Sequence, residues 1–271
     1  MKKTFLFVGI AVLIIILAGC SQTAAKNEGS ETMTESKTAV SSTAKDTDTA
    51  VFVSQDEPIT DTNIESVSAP ELFYFGHASM CIVTEDEKVI YIDPYANGDY
   101  SRAADLILVT HDHFDHNQTE KVSNRNDGCE IITQDEALQN GEHKTFEFPF
   151  VTVEAVEAGN NPNHDITECV GYVLTFNNGS TLYVSGDTST TDQMSELSAR
   201  QIDYAFFCCD GVYNMDIDEA AECAETVGAK HNIPYHNDTS HTGEMFDREL
   251  ADKFNAPDKM IVYPGDSFFI K

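Results

Sequence analysis

Positive charge is scarce in this chain: 16 lysines and arginines stand against 46 aspartates and glutamates in 271 residues, a formal net charge of −30 with histidines neutral. Nucleic-acid binding runs on lysine and arginine neutralising phosphates, so this composition argues against nucleic acid as a partner. No Cys-x-x-Cys pair occurs, which excludes a zinc ribbon or a thioredoxin-type redox motif. No Gly-x-Ser-x-Gly elbow occurs either, so the serine nucleophile of that motif is missing. There is no internal repeat. Apolar residues are not lacking: 41% hydrophobic and 10% aromatic content is ordinary for a globular protein and excludes wholesale disorder. The length suits one large domain or two small ones.

The N-terminus is separate from the fold. Lys2 and Lys3 precede an apolar run, Phe5–Leu17, of 13 residues. That is the length of a signal-peptide core and falls short of the roughly 20 residues of a spanning helix. Leu17-Ala18-Gly19-Cys20 follows and resembles a bacterial lipoprotein signal, which implies cleavage before Cys20 and a lipid on its thiol. The expected organisation is a signal peptide over 1–19, a lipidated Cys20 with a tether to residue 70, and a folded domain over 71–271. The expected location is extracytoplasmic, anchored to the cell membrane. Twelve of the 30 residues from Ser21 to Ala50 are Ser or Thr and none is aromatic, too little apolar surface to offset chain entropy. The acidity belongs to the domain: residues 71–271 carry 37 acidic and 11 basic side chains. Its six cysteines show no spacing framework, and several lie in apolar runs such as Phe206-Phe207-Cys208-Cys209, which points to buried free thiols.

From Glu71 onward the pattern predicts strands over 72–75, 80–84, 88–92, 105–110, 130–133, 150–156, 170–176, 181–185, 203–207 and 260–263. Helices are expected over 190–198, 218–227 (closed by Gly228) and 244–254. Strands dominate early and helices interleave later, an α/β layered arrangement of two sheets covered by helices.

The chemistry is concentrated in Thr110-His111-Asp112-His113-Phe114-Asp115-His116, directly after a buried strand. Histidines two apart in a loop leaving a strand can converge on one metal, and Asp115 and His116 can turn toward a neighbouring one. Neutral imidazoles and carboxylates suit zinc, manganese or iron.

This His-x-His-x-Asp-His arrangement resembles the metallo-β-lactamase-fold hydrolases, and the resemblance covers most of 71–271. It implies a four-layer αββα sandwich and two divalent metal ions, zinc first, with manganese or iron as alternatives. By the family pattern His111 and His113 hold the first ion, Asp115 and His116 the second, and Asp187 of Gly186-Asp187-Thr188 bridges them. His236 of Ile233-Pro234-Tyr235-His236 is the last ligand. The middle histidine maps to His164, after Ala158-Gly159-Asn160 and 23 residues before Asp187. Gly76-His77-Ala78-Ser79, Asp93-Pro94 and Val170-Gly171-Tyr172 resemble the ascorbate-6-phosphate lactonase subgroup. The same resemblance puts His77 beside the site, supporting ligands or touching substrate.

The implied activity is hydrolysis by a hydroxide bridging two cations, with Asp115 moving the proton. The acidic domain repels anions at long range, which favours a small neutral lactone, ester or amide over a phosphorylated substrate. Two alternatives remain open: a phosphodiesterase on the same fold, and a non-catalytic surface lipoprotein that binds metal or a partner. A solute-binding lipoprotein has no use for the histidine motif. Asp93 is expected to accept a hydrogen bond from a ligand histidine. His241, Asp210 and Tyr213 are placed toward the opening, and His143 and His231 on the surface. No feature signals an oligomeric state.

Overall fold

A computed structural model describes residues 69–271, so the expected signal peptide, Cys20 and nearly all of the tether lie outside the described residues. The chain runs through β1 (Glu71–Gly76), β2 (Ser79–Val83), β3 (Val89–Ile92), β4 (Ala104–Leu108) and β5 (Arg125–Ile132). A short helix α1 (Gln134–Ala137) and the hairpin β6 (Leu138–Gln139) and β7 (Glu142–His143) follow. Next come β8 (Thr145–Phe148), β9 (Val151–Glu157), β10 (Val170–Phe176), β11 (Thr181–Val184), α2 (Met194–Leu197) and β12 (Tyr204–Cys208). The chain closes with α3 (Ile217–Val227), β13 (His231–Tyr235), α4 (Arg248–Lys253) and β14 (Ser267–Phe269).

Two six-stranded sheets result, in the orders β14-β1-β2-β3-β4-β5 and β13-β12-β11-β10-β9-β8. In each, an antiparallel meander passes into parallel strands: β3, β4 and β5 in the first, β11, β12 and β13 in the second. Alternation selects the inward faces. Leu72, Tyr74, Met80, Ile82, Ile90 and Leu106 of the first sheet share one core with Val153, Tyr172, Leu174, Val184 and Phe206 of the second. The rings of Tyr74 and Phe206 meet across the gap at 6.2 Å. This is the expected sandwich of two sheets with few helices. On the outer face of the second sheet α3 buries Ala220, Cys223, Ala224 and Val227. Its N-cap Asp216 accepts from the backbone N–H groups of Asp218 and Glu219, and Gly228 closes it in the left-handed conformation at φ 66°. Tyr91, Ile107 and Val122 form a second, smaller cluster on the other face of the first sheet.

Several predicted elements are shorter than expected or differently placed. Met260–Tyr263 is not a strand: only Lys259 bridges to β13, at Asn232, and the strand closing the first sheet is β14. The apolar run satisfies the core without pairing, and Pro264 ends it. The helix expected over 190–198 is confined to α2, because the N–H and hydroxyl of Thr190 are held by Glu219 of α3. The helix expected from Glu244 starts only after the cap Asp247, since the carbonyl of Met245 accepts the N–H of His77 instead. β13 was not anticipated. It contains Pro234, and a strand lacking that N–H is tolerated because β13 lies at the sheet edge. All six cysteines among the described residues are free, and five are buried.

Phe206 sits fully buried where the two sheets meet. Phe206→Ala is therefore expected to lower unfolding stability by about 3–5 kcal/mol, read from the shift of the urea midpoint.

Candidate metal centre

Strand polarity brings distant residues to one edge of the sandwich. The C-terminal end of β1 leads to His77, that of β3 to Asp93, and that of β4 to His111–His116. In the second sheet β9 leads to Gly159–His164, β11 to Asp187, β12 to Asp210 and β13 to His236. The backbone bends sharply to aim these side chains inward. His77, Asp93 and His236 adopt positive φ values of 51°, 44° and 42°, each a cost of about 1–3 kcal/mol that surrounding structure must offset. Gly186 precedes Asp187 at φ 62°, and a Cβ there would meet the Val170 carbonyl at 2.6 Å.

Two clusters form. Ligand atoms of His111, His113 and His164 lie within 4.8 Å of one another, as do those of His77, Asp115, His116 and His236. Asp187 stands between: its Oδ2 is 3.4 Å from His164 Nε2 and 3.2 Å from His236 Nε2, and its Oδ1 is 3.5 Å from His116 Nε2. The Nε2 atoms of His111, His116 and His236 and the Oδ1 of Asp187 are buried without a hydrogen-bond partner. Buried polar atoms are normally satisfied, and nitrogen and oxygen atoms left without partners while facing one another fit a cation at their centre. Every sequence-selected residue (His77, His111, His113, Asp115, His116, His164, Asp187 and His236) is therefore in one place, and both clusters could hold a metal. His77 lies closer in than the sequence reading had it, among potential ligands, with its ring 3.7 Å from that of His236.

The family model of the β-lactamase superfamily domain matches residues 71–236. The chain belongs to the metallo-β-lactamase superfamily of metal-dependent hydrolases. It is similar to a UPF0173 metal-dependent hydrolase of Geobacillus thermodenitrificans, 32% identical over 197 residues, 62% of this chain and 86% of that one. A Pyrococcus furiosus protein of the same description is 28% identical, over 72% of this chain and 96% of its own. Among solved structures, a candidate metal-dependent hydrolase of Parabacteroides distasonis superposes with a TM-score of 0.57 at 29% identity, covering 70% of this chain and 91% of that one.

In this metallo-β-lactamase-superfamily chain a layer of partners fixes the potential ligands. His116 Nδ1 meets Asp93 Oδ2 at 2.8 Å, the anchoring role expected for Asp93. His77 Nε2 is 3.1 Å from Asp115 Oδ2, and His236 Nδ1 is 3.5 Å from Asp210 Oδ2. Asn214 donates to both Asp187 and Asp210, at 2.9 and 2.7 Å. Thr110, whose hydroxyl lies 3.1 Å from His111 Nδ1, and Asn214 were not found from sequence, since a lone loop Thr or Asn carries no motif.

The charges divide the imidazoles. Burial, reinforced by His116, holds His111 well below the ordinary histidine range, and burial together with His236 pushes His77 down to about 3. Burial opposes charge on His116 and His236 too, yet Asp187 outweighs it at both, with Asp93 adding to the effect at His116. Both imidazoles are thereby biased toward their protonated form, against which a cation must compete.

A cavity of about 550 Å³ opens onto the site, lined in part by His113, Asp115, His164, Asp187 and His236. His241 and Tyr213 line it as expected, while Asp210 is buried behind His236. His143 and His231 are half-buried rather than exposed, and His231 stacks on Tyr204 at 4.6 Å.

Two outcomes follow from this layer. Asp93→Asn is expected to weaken metal binding about 10- to 100-fold by loosening His116, measured by competition with a chromogenic chelator. Zinc added to the metal-free chain at pH 7 is expected to release protons, and His116→Ala to lower the yield by about one per chain in a weakly buffered titration.

Proposed function

We propose that the domain hydrolyses a small neutral lactone, ester or amide with two divalent cations, zinc first. His111, His113 and His164 would hold one, Asp115, His116 and His236 the other, and Asp187 would face both. The observation that carries this reading is the set of buried, unpartnered Nε2 atoms and the Asp187 Oδ1 converging on one another. Bound there, the cations would polarise the scissile carbonyl and lower the pKa of water toward about 7.

The chain's own residues supply the rest. Asp115, on the cavity wall, is held well below the usual carboxylate range because His77 and His116 outweigh its burial, so it is ionised and its oxygens can accept a hydrogen bond from water. Water's oxygen bonds to the acyl carbon, the carbon–oxygen or carbon–nitrogen bond breaks, and the proton passes by Asp115 to the leaving atom. His77 keeps Asp115 oriented through their 3.1 Å contact. Among the described residues no lysine or arginine lines the cavity, which supports a neutral substrate over the phosphodiester alternative, since the protein wall offers an anionic group no side-chain cation. The Gly76-His77-Ala78-Ser79 likeness to the lactonase subgroup supports a lactone in particular.

Elemental analysis of the full chain prepared without chelators tests the reading. About two metal equivalents are expected, falling toward one in His116→Ala, with lactone or ester turnover above that of bis(p-nitrophenyl) phosphate. A chain with no tightly bound metal would sink it and favour the binding-protein alternative. We also propose that Cys20 carries a lipid and anchors the protein outside the cytoplasmic membrane, on the strength of Leu17-Ala18-Gly19-Cys20. Cys20→Ala is expected to move the protein from the membrane to the soluble fraction.

A further inference from the structure

Among the described residues four large apolar side chains are strongly exposed: Phe114 (62%), Val212 (63%), Tyr213 (47%) and Phe269. Phe269 lies on β14 at the sheet edge. The other three gather at the cavity, where Phe114 and Tyr213 line the wall and Val212 shares the turn of Tyr213. Exposed apolar groups concentrated at an opening mark something that covers them in use.

Contacts fix the ring of Phe114 and the backbone of Tyr213. Phe114 lies between His113 and Asp115, whose side chains are committed to the cavity, so the loop that aims them leaves it at the rim. Its ring meets that of Tyr95 edge-on at 5.7 Å and that of His241 at 5.5 Å, and its carbonyl accepts from Gln118 at 2.9 Å. Across the sequence, Asp210 Oδ1 accepts the N–H groups of Val212 and Tyr213, each at 2.7 Å. The Tyr213 carbonyl accepts from Asn163 Nδ2 at 3.2 Å, which ties this turn to the loop of His164. Pro162, beside Asn163, adds an apolar wall. A ligand meeting such surfaces orders little on binding, because they are already in place.

We infer that the substrate carries an apolar acyl or aryl group beside its neutral scissile head, and that Phe114 and Tyr213 are the residues that select it. This rests on the hydrolase reading for the head alone. The cavity volume of about 550 Å³ lies within the range of small-molecule sites and leaves room for both parts. Polar groups cluster at its floor and aromatic ones at its rim, the polarity expected for a molecule that enters head first.

The test uses the metal-loaded full chain and two series. γ-Lactones with side chains from none to hexyl are compared by kcat/KM, and 1-alkanols from ethanol to octanol by calorimetric affinity. Both are expected to rise, by up to about fourfold per added methylene. Phe114→Ser and Tyr213→Ser are each expected to flatten the slopes; both positions are exposed, so folding is not at issue. Lactone turnover with no dependence on chain length in either series overturns the inference and leaves the hydrolase reading standing. Alkanol affinity that climbs, and flattens in the variants, supports the inference even where no lactone is cleaved, and that result rejects the lactone as the scissile head instead.

Discussion

The buried carboxylate of Asp93 holds both ends of the histidine loop. It accepts from the N–H and hydroxyl of Thr110, at 2.8 and 2.7 Å, and meets His116 Nδ1 at 2.8 Å. A fully buried carboxylate is costly without such partners, so the network is obligatory for the fold as well as useful to the site. It also propagates. The Asp93 carbonyl accepts from Ser79 Oγ, which in turn accepts the N–H groups of Tyr95 and Ala96. Tyr95 is the ring against which Phe114 rests, so one chain of contacts runs from the protein's interior to the cavity rim.

A second constraint is electrostatic. Asp187 is buried and held far below the ordinary carboxylate range, because His236 and His116 outweigh its burial. It comes from the second sheet, as do His164 and His236, whereas His111, His113, Asp115 and His116 follow the first. On the proposed assignment, a cation at this junction bonds one sheet to the other, and its binding energy becomes part of what keeps them together.

Much of this was legible in the sequence, for identifiable reasons. His111 to His116 are contiguous, so local spacing marks them, whereas Asp187, His164 and His236 were reached through the family resemblance. Short apolar runs bounded by turn residues marked most strands, because strands such as β3 and β12 are buried on both faces, and alternation marked β9. Thr110 and Asn214 act through side-chain hydrogen bonds that no pattern records. Met260–Tyr263 misled because an apolar run can fill a core without pairing, and β13 was missed because Pro234 argues against a strand unless its edge position is known. The shortened helices reflect competition: Thr190 bonds to Glu219 and Met245 to His77, contacts that local propensity cannot contain.

The pairing of β1 with β14 has a kinetic consequence. Ser267 Oγ donates to Glu71 across 196 positions of sequence, so the first sheet is completed by the last strand of the chain. Closing so long a loop is entropically slow, and contacts of this separation form late. The turn that carries His77 lies at the end of β1, and the carbonyl of Met245 that holds its backbone comes from near the C-terminus. The geometry around His77 therefore forms only after contacts of long sequence separation have closed, behind the local turns that shape the histidine loop.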